Sequence, residues 1–141
     1  MPRTAASPAV APARILIVDD HELMRRGIRN LLESNPLLQV CGEAADGEDG
    51  VAKVQSLKPD LVILDLNMRG MNGIDATRLI RRLVPETKIL IYSMHESPQI
   101  RLAIQQAGAD AFVLKSAPET ELPKMIGVLL VADSPEKART I

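Results

Sequence analysis

Five short aliphatic runs, each followed by a segment with helical periodicity, constrain this chain more than any other feature. The runs are RILIV (residues 14–18), LQVCGEA (38–44), DLVIL (60–64), KILIY (88–92) and AFVLK (111–115). Four are nearly unbroken aliphatic sequence, as expected of strands covered on both faces in a parallel sheet. The run around Val40 alternates instead, which suits a strand at the sheet's edge. Between the runs, Ala76, Leu79, Ile80 and Leu83 trace an apolar stripe on the third helix, and Leu122, Met125, Ile126, Leu129 and Leu130 trace one on the last. Ser97-Pro98 reads as an N-cap followed by proline at the first helical position, and Gly108 as the C-cap of that fourth helix. Pro123 is tolerable only in the first turn of a helix that begins near Thr120, where a missing N–H costs nothing. Strict β-α alternation, five times over, predicts an open, doubly wound α/β domain with right-handed crossovers.

Composition removes several function classes. The chain has 141 residues and a formal charge of -1, one domain's worth with no overall attraction to nucleic acid or membrane. Its single cysteine, Cys41, excludes an internal disulfide framework and a cysteine-based zinc site, and fits a reducing cytosol. Cys41 itself reads as a small buried hydrophobe. Tyr92 and Phe112 are the only aromatic residues, too few for stacking on single-stranded nucleic acid. No apolar run reaches the roughly 20 residues of a membrane span. The opening MPRTAASPAVAPA lacks the apolar core of a signal peptide, so residues 1–13 read as a flexible Ala/Pro extension. After Val131, residues 132–141 lose periodicity and read as a linker or tail.

In a doubly wound sheet, ligands bind at the carboxyl ends of the strands. The first run ends in Asp19 and Asp20, the third in Asp65, the fourth in Ser93 and the fifth in Lys115. Three carboxylates, a hydroxyl and an ammonium thus converge on one edge. Two carboxylates about 4 Å apart repel by roughly 4 kcal/mol at an effective dielectric near 20. A divalent cation relieves that cost, and an all-oxygen site suits Mg²⁺. A carboxylate beside such an ion, faced by a lysine and a hydroxyl, can take a phosphoryl group and hold it as an acyl phosphate. The competing structural reading makes Asp19-Asp20-His21-Glu22 a capping box, with Asp19 as cap and Glu22 three residues on. That reading leaves a third acid after strand three unexplained. His21 reads as a solvated first-turn histidine, and Arg25, Arg26 and Arg29 as a basic run on helix one, open between a solvated face and a docking face for a partner protein.

These residues resemble the receiver domain of two-component response regulators over residues 14–131. The resemblance rests on the acidic pair Asp19-Asp20, Asp65 within DLNMRGMNG, Ser93 after strand four, Lys115 after strand five, and Phe112 three residues before the lysine. It implies a flavodoxin-like (βα)5 fold with a five-stranded parallel sheet of order 2-1-3-4-5. It further implies Asp65 as the phosphoacceptor for a sensor histidine kinase, and Mg²⁺ held by Asp20, Asp65 and the main-chain carbonyl of Asn67, with Asp19 acting through water. Lys115 and Ser93 then bind the phosphoryl group, while Ser93 and Phe112 carry the switch to the surface of helix four, strand five and helix five. That surface, or helix one with helix five, is the expected homodimer face.

VDDHELMRRGI, DLNMRGMNGIDATRLIR and GADAFVLKSAPETEL resemble the branch whose receivers precede a LuxR-type helix-turn-helix output domain (NarL/FixJ-like). No output domain is present in this chain. The implied protein is cytoplasmic, makes no nucleic-acid contact through this domain, and is a switch rather than an enzyme in the ordinary sense. Three positions depart from the family's habit: Arg69 for a usual proline, Gly50 for a usual alanine, which weakens helix two by up to about 1 kcal/mol, and Pro123 in the last helix. Two other readings are a stand-alone phosphorelay or interaction module, and an aspartyl-phosphate phosphatase of the haloacid-dehalogenase type. The second needs an acid where Asn67 stands.

Overall fold

The computed structural model describes residues 11–131, and the five expected pairs of strand and helix are all present. In chain order they are β1 (Ala13–Val18), α1 (Glu22–Glu33), β2 (Leu38–Ala44), α2 (Gly47–Leu57), β3 (Leu61–Leu64), α3 (Gly73–Leu83), β4 (Lys88–Ser93), α4 (Pro98–Ala107), β5 (Ala111–Leu114) and α5 (Glu121–Val131). The strands form one parallel sheet in the order β2-β1-β3-β4-β5. That is the flavodoxin-like order the resemblance implied. Residues 1–10 of the segment read as an extension, and the tail at 132–141, lie outside the described residues; Ala13 already belongs to β1.

Strand pleat sorts the core into two layers. Ile15 and Ile17 of β1, Leu61 and Ile63 of β3, and Leu90 of β4 pack against α1 and α5 through Ile28, Leu32, Leu122 and Ile126. Their neighbours Leu16, Val18, Val62, Leu64, Ile89 and Ile91 face α2, α3 and α4 through Val54, Ala76, Ile80 and Ile104. Both faces being covered explains the unbroken aliphatic runs of the three central strands. β2 lies at one edge, as its alternation predicted.

The helix starts follow local chemistry. Ser97 Oγ accepts the Ile100 N–H at 3.1 Å with Pro98 first in the helix, and Gly108 closes α4 in the left-handed region at φ 107°. Asp46 and Asn72 cap α2 and α3 in the same way, accepting the N–H groups of Asp49 and Asp75. Pro123 is the third residue of α5, inside the first turn.

Three readings are corrected. The capping box does not form: α1 starts at Glu22 with His21 as its cap residue, and Asp19 Oδ1 instead accepts the His21 N–H at 2.9 Å, two residues on. Glu22 is therefore the first helical residue, not the third. Cys41 is only half-buried, because it falls where β2 slips register against β1 between Val40 and Gly42. Gly50 is more than a helix-weakening substitution, since a Cβ there would meet Val18 Cγ1 at 2.9 Å; its bare Cα lets α2 lie close on the end of β1.

Candidate functional site

Each key residue sits one step beyond its strand and is held there by a continuing ladder bond. Asp19 N–H donates to the Ala44 carbonyl at 3.0 Å, Asp65 N–H to the Val18 carbonyl at 3.0 Å, and Lys115 N–H to the Ser93 carbonyl at 2.8 Å. The loop after Asp65 turns back on itself: Gly73 N–H donates to the Leu66 carbonyl at 2.9 Å. Gly73 has no room for a side chain, because a Cβ would collide with the Asp65 carbonyl and Leu66 Cα. Glycine at this position thus lets α3 begin against the residue carrying the acid.

The structure brings Asp19, Asp20, Asp65 and Lys115 together. Asp19 and Asp65 are buried, and the Lys115 side chain is only 4% exposed. Lys115 Nζ donates to Asp19 Oδ2 at 2.7 Å and lies 3.5 Å from Asp65 Oδ1. One ammonium therefore faces two buried carboxylates, with Asp20 as a third acid in the same group. Burial pushes the Asp65 carboxyl above the ordinary carboxylate range, with the Asp19 charge adding to it. Lys115 and the N–H groups of Leu66 and Asn67 oppose that rise without cancelling it. Asp20 Oδ1 is buried and has no hydrogen-bond partner. His21 Nδ1 lies 3.0 Å from that oxygen and 3.2 Å from Asp19 Oδ1, close enough to pair when the ring is protonated. This qualifies the solvated reading of His21: its ring is largely exposed, but one nitrogen leans over two acids.

Ligand atoms of Asp19, Asp20, His21 and Asp65 all lie within 4.8 Å of one another. An excess of buried negative charge and an orphaned carboxylate oxygen fit a divalent cation with oxygen ligands. A cleft of about 140 Å³ opens onto the group, lined by His21, Asp65, Asn67, Met94, His95 and Lys115.

Ser93 is fully buried at the end of β4, and its hydroxyl accepts the His95 main-chain N–H at 3.2 Å. Phe112 lies half-buried on β5 beside Ile91, packed on the core under α4. The Arg101 guanidinium sits 4.8 Å above its ring, and Arg101 Nε donates to Glu96 Oε2 in the loop after β4. Arg69 is exposed on the loop.

Of the two readings of the basic run on helix one, the solvated face does not hold for Arg25 and Arg29. Arg25 Nε donates to Glu43 Oε1 at 2.9 Å and Arg29 Nε to Glu43 Oε2 at 2.7 Å, so two of the three arginines fold onto β2. Only Arg26, paired with Glu22 four residues before it, meets the expectation. Glu43, Glu96 and Arg101, and the partners of Arg25, escaped the sequence reading, because no local pattern links Arg25 to Glu43 or Arg101 to Phe112.

Fold and pocket together define a doubly wound α/β domain with a cluster of acids of metal-ligand type at the carboxyl edge of its sheet. Residues 15–127 match the response regulator receiver domain model, and the chain belongs to that family. It is 41% identical over 116 residues to the nitrate/nitrite response regulator protein NarP of Escherichia coli, covering 82% of this chain and 54% of that protein. The chain spans about half the length of the curated relatives it matches. A LuxR-family two-component response regulator from Aurantimonas sp. SI85-9A1 superposes with a TM-score of 0.83 at 38% identity, over 92% of this chain and 94% of that one. The isolated REC domain of RcsB from Salmonella enterica serovar Typhimurium, solved with the phosphomimetic BeF₃⁻, gives 0.81 at 28% identity, over 91% and 97% of the two chains.

Receiver domains bind Mg²⁺ at an acidic pocket and interact with histidine kinases, and response regulators are generally signalling proteins. Among the described residues, no helix is long and apolar enough to cross a membrane.

Proposed function

We propose that residues 14–131 form a phosphorylation-activated receiver in which Asp65 accepts a phosphoryl group from the phosphohistidine of a sensor histidine kinase. The observation that carries this reading is the buried acid cluster faced by a single lysine, with one Asp20 oxygen left unpartnered. An Asp65 carboxylate oxygen attacks phosphorus, the P–N bond to the kinase imidazole breaks, and its electron pair leaves with that nitrogen. Asp20, Asp65 and the Asn67 main-chain carbonyl would hold Mg²⁺ directly, and Asp19 through water. The ion, when bound, supplies positive charge against the equatorial phosphoryl oxygens.

Lys115 then exchanges part of its pairing with Asp19 for a phosphoryl oxygen, and Ser93 gives up its loop bond to donate its hydroxyl proton to another. Drawing Ser93 inward moves the β4–α4 loop, and Phe112 on β5 repacks beneath α4. The surface of α4, β5 and α5 changes shape, with homodimerisation there or through α1 and α5 as the outcome. By likeness to the longer relatives, the module works in the cytoplasm, upstream of a DNA-binding output domain that makes the nucleic-acid contact. The test is incubation with acetyl phosphate and Mg²⁺. Wild type should gain one hydroxylamine-labile phosphoryl group per chain and Asp65→Asn none; equal labelling of both would remove Asp65 from the role.

A further inference from the structure

Arg25 ties the acidic pocket to the sheet's edge strand. It lies in the first turn of α1 with its side chain only 16% exposed. Its Nη1 donates to the Asp19 main-chain carbonyl at 2.6 Å, while its Nε donates to Glu43 Oε1 on β2. Every polar group of Asp19 is then committed. Its N–H goes to Ala44, its carbonyl to Arg25, and its two carboxylate oxygens to the His21 N–H and Lys115 Nζ. Asp20, the next residue on the same turn, keeps a buried oxygen without a hydrogen-bond partner, with His21 Nδ1 3.0 Å away. A fixed residue thus stands beside an oxygen available for a ligand.

We infer that Arg25 is a positioning residue for the cation pocket: by holding the Asp19 carbonyl against Glu43, it fixes the Asp19–Asp20 turn and so sets the affinity for a divalent cation. The inference rests on the reading of this pocket as the Mg²⁺ site. Outer partners that orient ligand-bearing groups typically change metal affinity by about 10–100-fold when removed. Charge alone acts in the opposite sense, because deleting a cation near an acidic pocket should tighten Mg²⁺ binding. The sign of the effect therefore separates positioning from simple electrostatics. Arg29 supplies an internal control, since it shares Glu43 and carries the same charge but bonds Glu33 instead of the Asp19 carbonyl.

The experiment is a Mg²⁺ titration of the whole chain without phosphodonor, followed by the amide NMR shifts of residues 19, 20 and 65–67, together with the Mg²⁺-induced rise in Tm. Arg25→Gln should weaken Mg²⁺ binding by about tenfold or more and shrink the Mg²⁺-induced rise, not merely lower the metal-free Tm. Arg29→Gln should leave the affinity as in wild type. Should Arg25→Gln not fold, Arg25→Lys supplies the same comparison, with a smaller loss. Unchanged or tighter binding in the Arg25 variants overturns the inference and leaves the Mg²⁺ reading standing. Equal losses in the Arg25 and Arg29 variants overturn it as well, since the effect would then run through Glu43 alone. Failure of wild type to bind Mg²⁺ removes the underlying reading and the inference with it.

Discussion

The two edges of the sheet carry polar networks of similar extent and opposite character. At the amino edge, Arg81 donates to the Gly108 carbonyl through Nε and Nη2 at 3.0 and 2.7 Å, and through Nη1 to the carbonyls of Pro85 and Thr87 at 2.8 and 3.2 Å. Its Nη2 also pairs with Asp110 Oδ2, which in turn accepts the Ile89 N–H at 2.8 Å. Each group there has a partner, and the network locks the end of α3 to the starts of β4 and β5. At the carboxyl edge, Asp19 and Asp65 share one lysine, and a buried oxygen of Asp20 has no hydrogen-bond partner. A satisfied network of this kind stabilises; an unsatisfied one costs stability and persists where a ligand completes it.

Volume does not distinguish the two edges in that way. A hollow of about 310 Å³ lies at the amino edge beside Lys58, Glu86 and Leu130, against about 140 Å³ at the acidic cleft. Among the described residues, the group of potential metal ligands gathers only at the smaller one. Unbalanced charge, not size, marks the site.

The contrast can be broken most forcefully at Lys115. Lys115→Ala leaves Asp19 and Asp65 buried without their cation, a loss of about 3–5 kcal/mol for removing one member of a buried pair. Chemical denaturation should show that loss in EDTA and show much of it recovered in Mg²⁺. The variant should still accept phosphoryl on Asp65 yet switch poorly, so unaltered dimerisation on phosphorylation would count against the role assigned to Lys115.

Arg81→Ala tests the other edge. It strips partners from the Gly108, Pro85 and Thr87 carbonyls and should cost about 2–3 kcal/mol. Mg²⁺ should recover none of that loss, and Mg²⁺ affinity should stay at the wild-type value. A Mg²⁺ rescue of Arg81→Ala would erase the distinction between the edges.

Glu43, which pairs with Arg25 and Arg29 beside the acidic pocket, should show a smaller effect. Burial raises its carboxyl pKa, but hydrogen bonds from Arg29 and Arg25 outweigh burial and hold it below the ordinary range. A carboxyl lowered on folding contributes stability that is present above its unfolded pKa and lost as pH falls through its lowered folded value. Acid titration of Tm should therefore be shallower in Glu43→Gln than in wild type across that window. Identical slopes would show that the arginine pair adds nothing at this carboxylate.

Much of this was legible in the sequence. Aliphatic runs that stop at a charged residue place Asp19, Asp65 and Lys115 at strand ends, and parallel topology then gathers strand ends on one edge. Helix starts with a single competent cap, such as Ser97 before Pro98, were equally readable. The Asp19–Glu22 spacing misled because it cannot tell an acid that accepts from its second neighbour from one that caps a helix. Cys41 misled because a register slip depends on how β2 meets β1, not on either strand alone. Arg25 was hidden for a related reason: its partners, Glu43 on another strand and a main-chain carbonyl, leave no periodic trace. Long arginine side chains choose among distant acceptors only after the sheet has formed.

On the function proposed above, a phosphoryl group on Asp65 and a divalent cation together complete the carboxyl edge. Beryllofluoride, which mimics an acyl phosphate, tests it directly when titrated in the presence of Mg²⁺ and followed by amide shifts of residues 19, 20, 65–67, 93 and 115. Wild type should bind it saturably and only with Mg²⁺ present, and Asp65→Asn should not bind it. Equal binding to both proteins, or binding to neither, would contradict it.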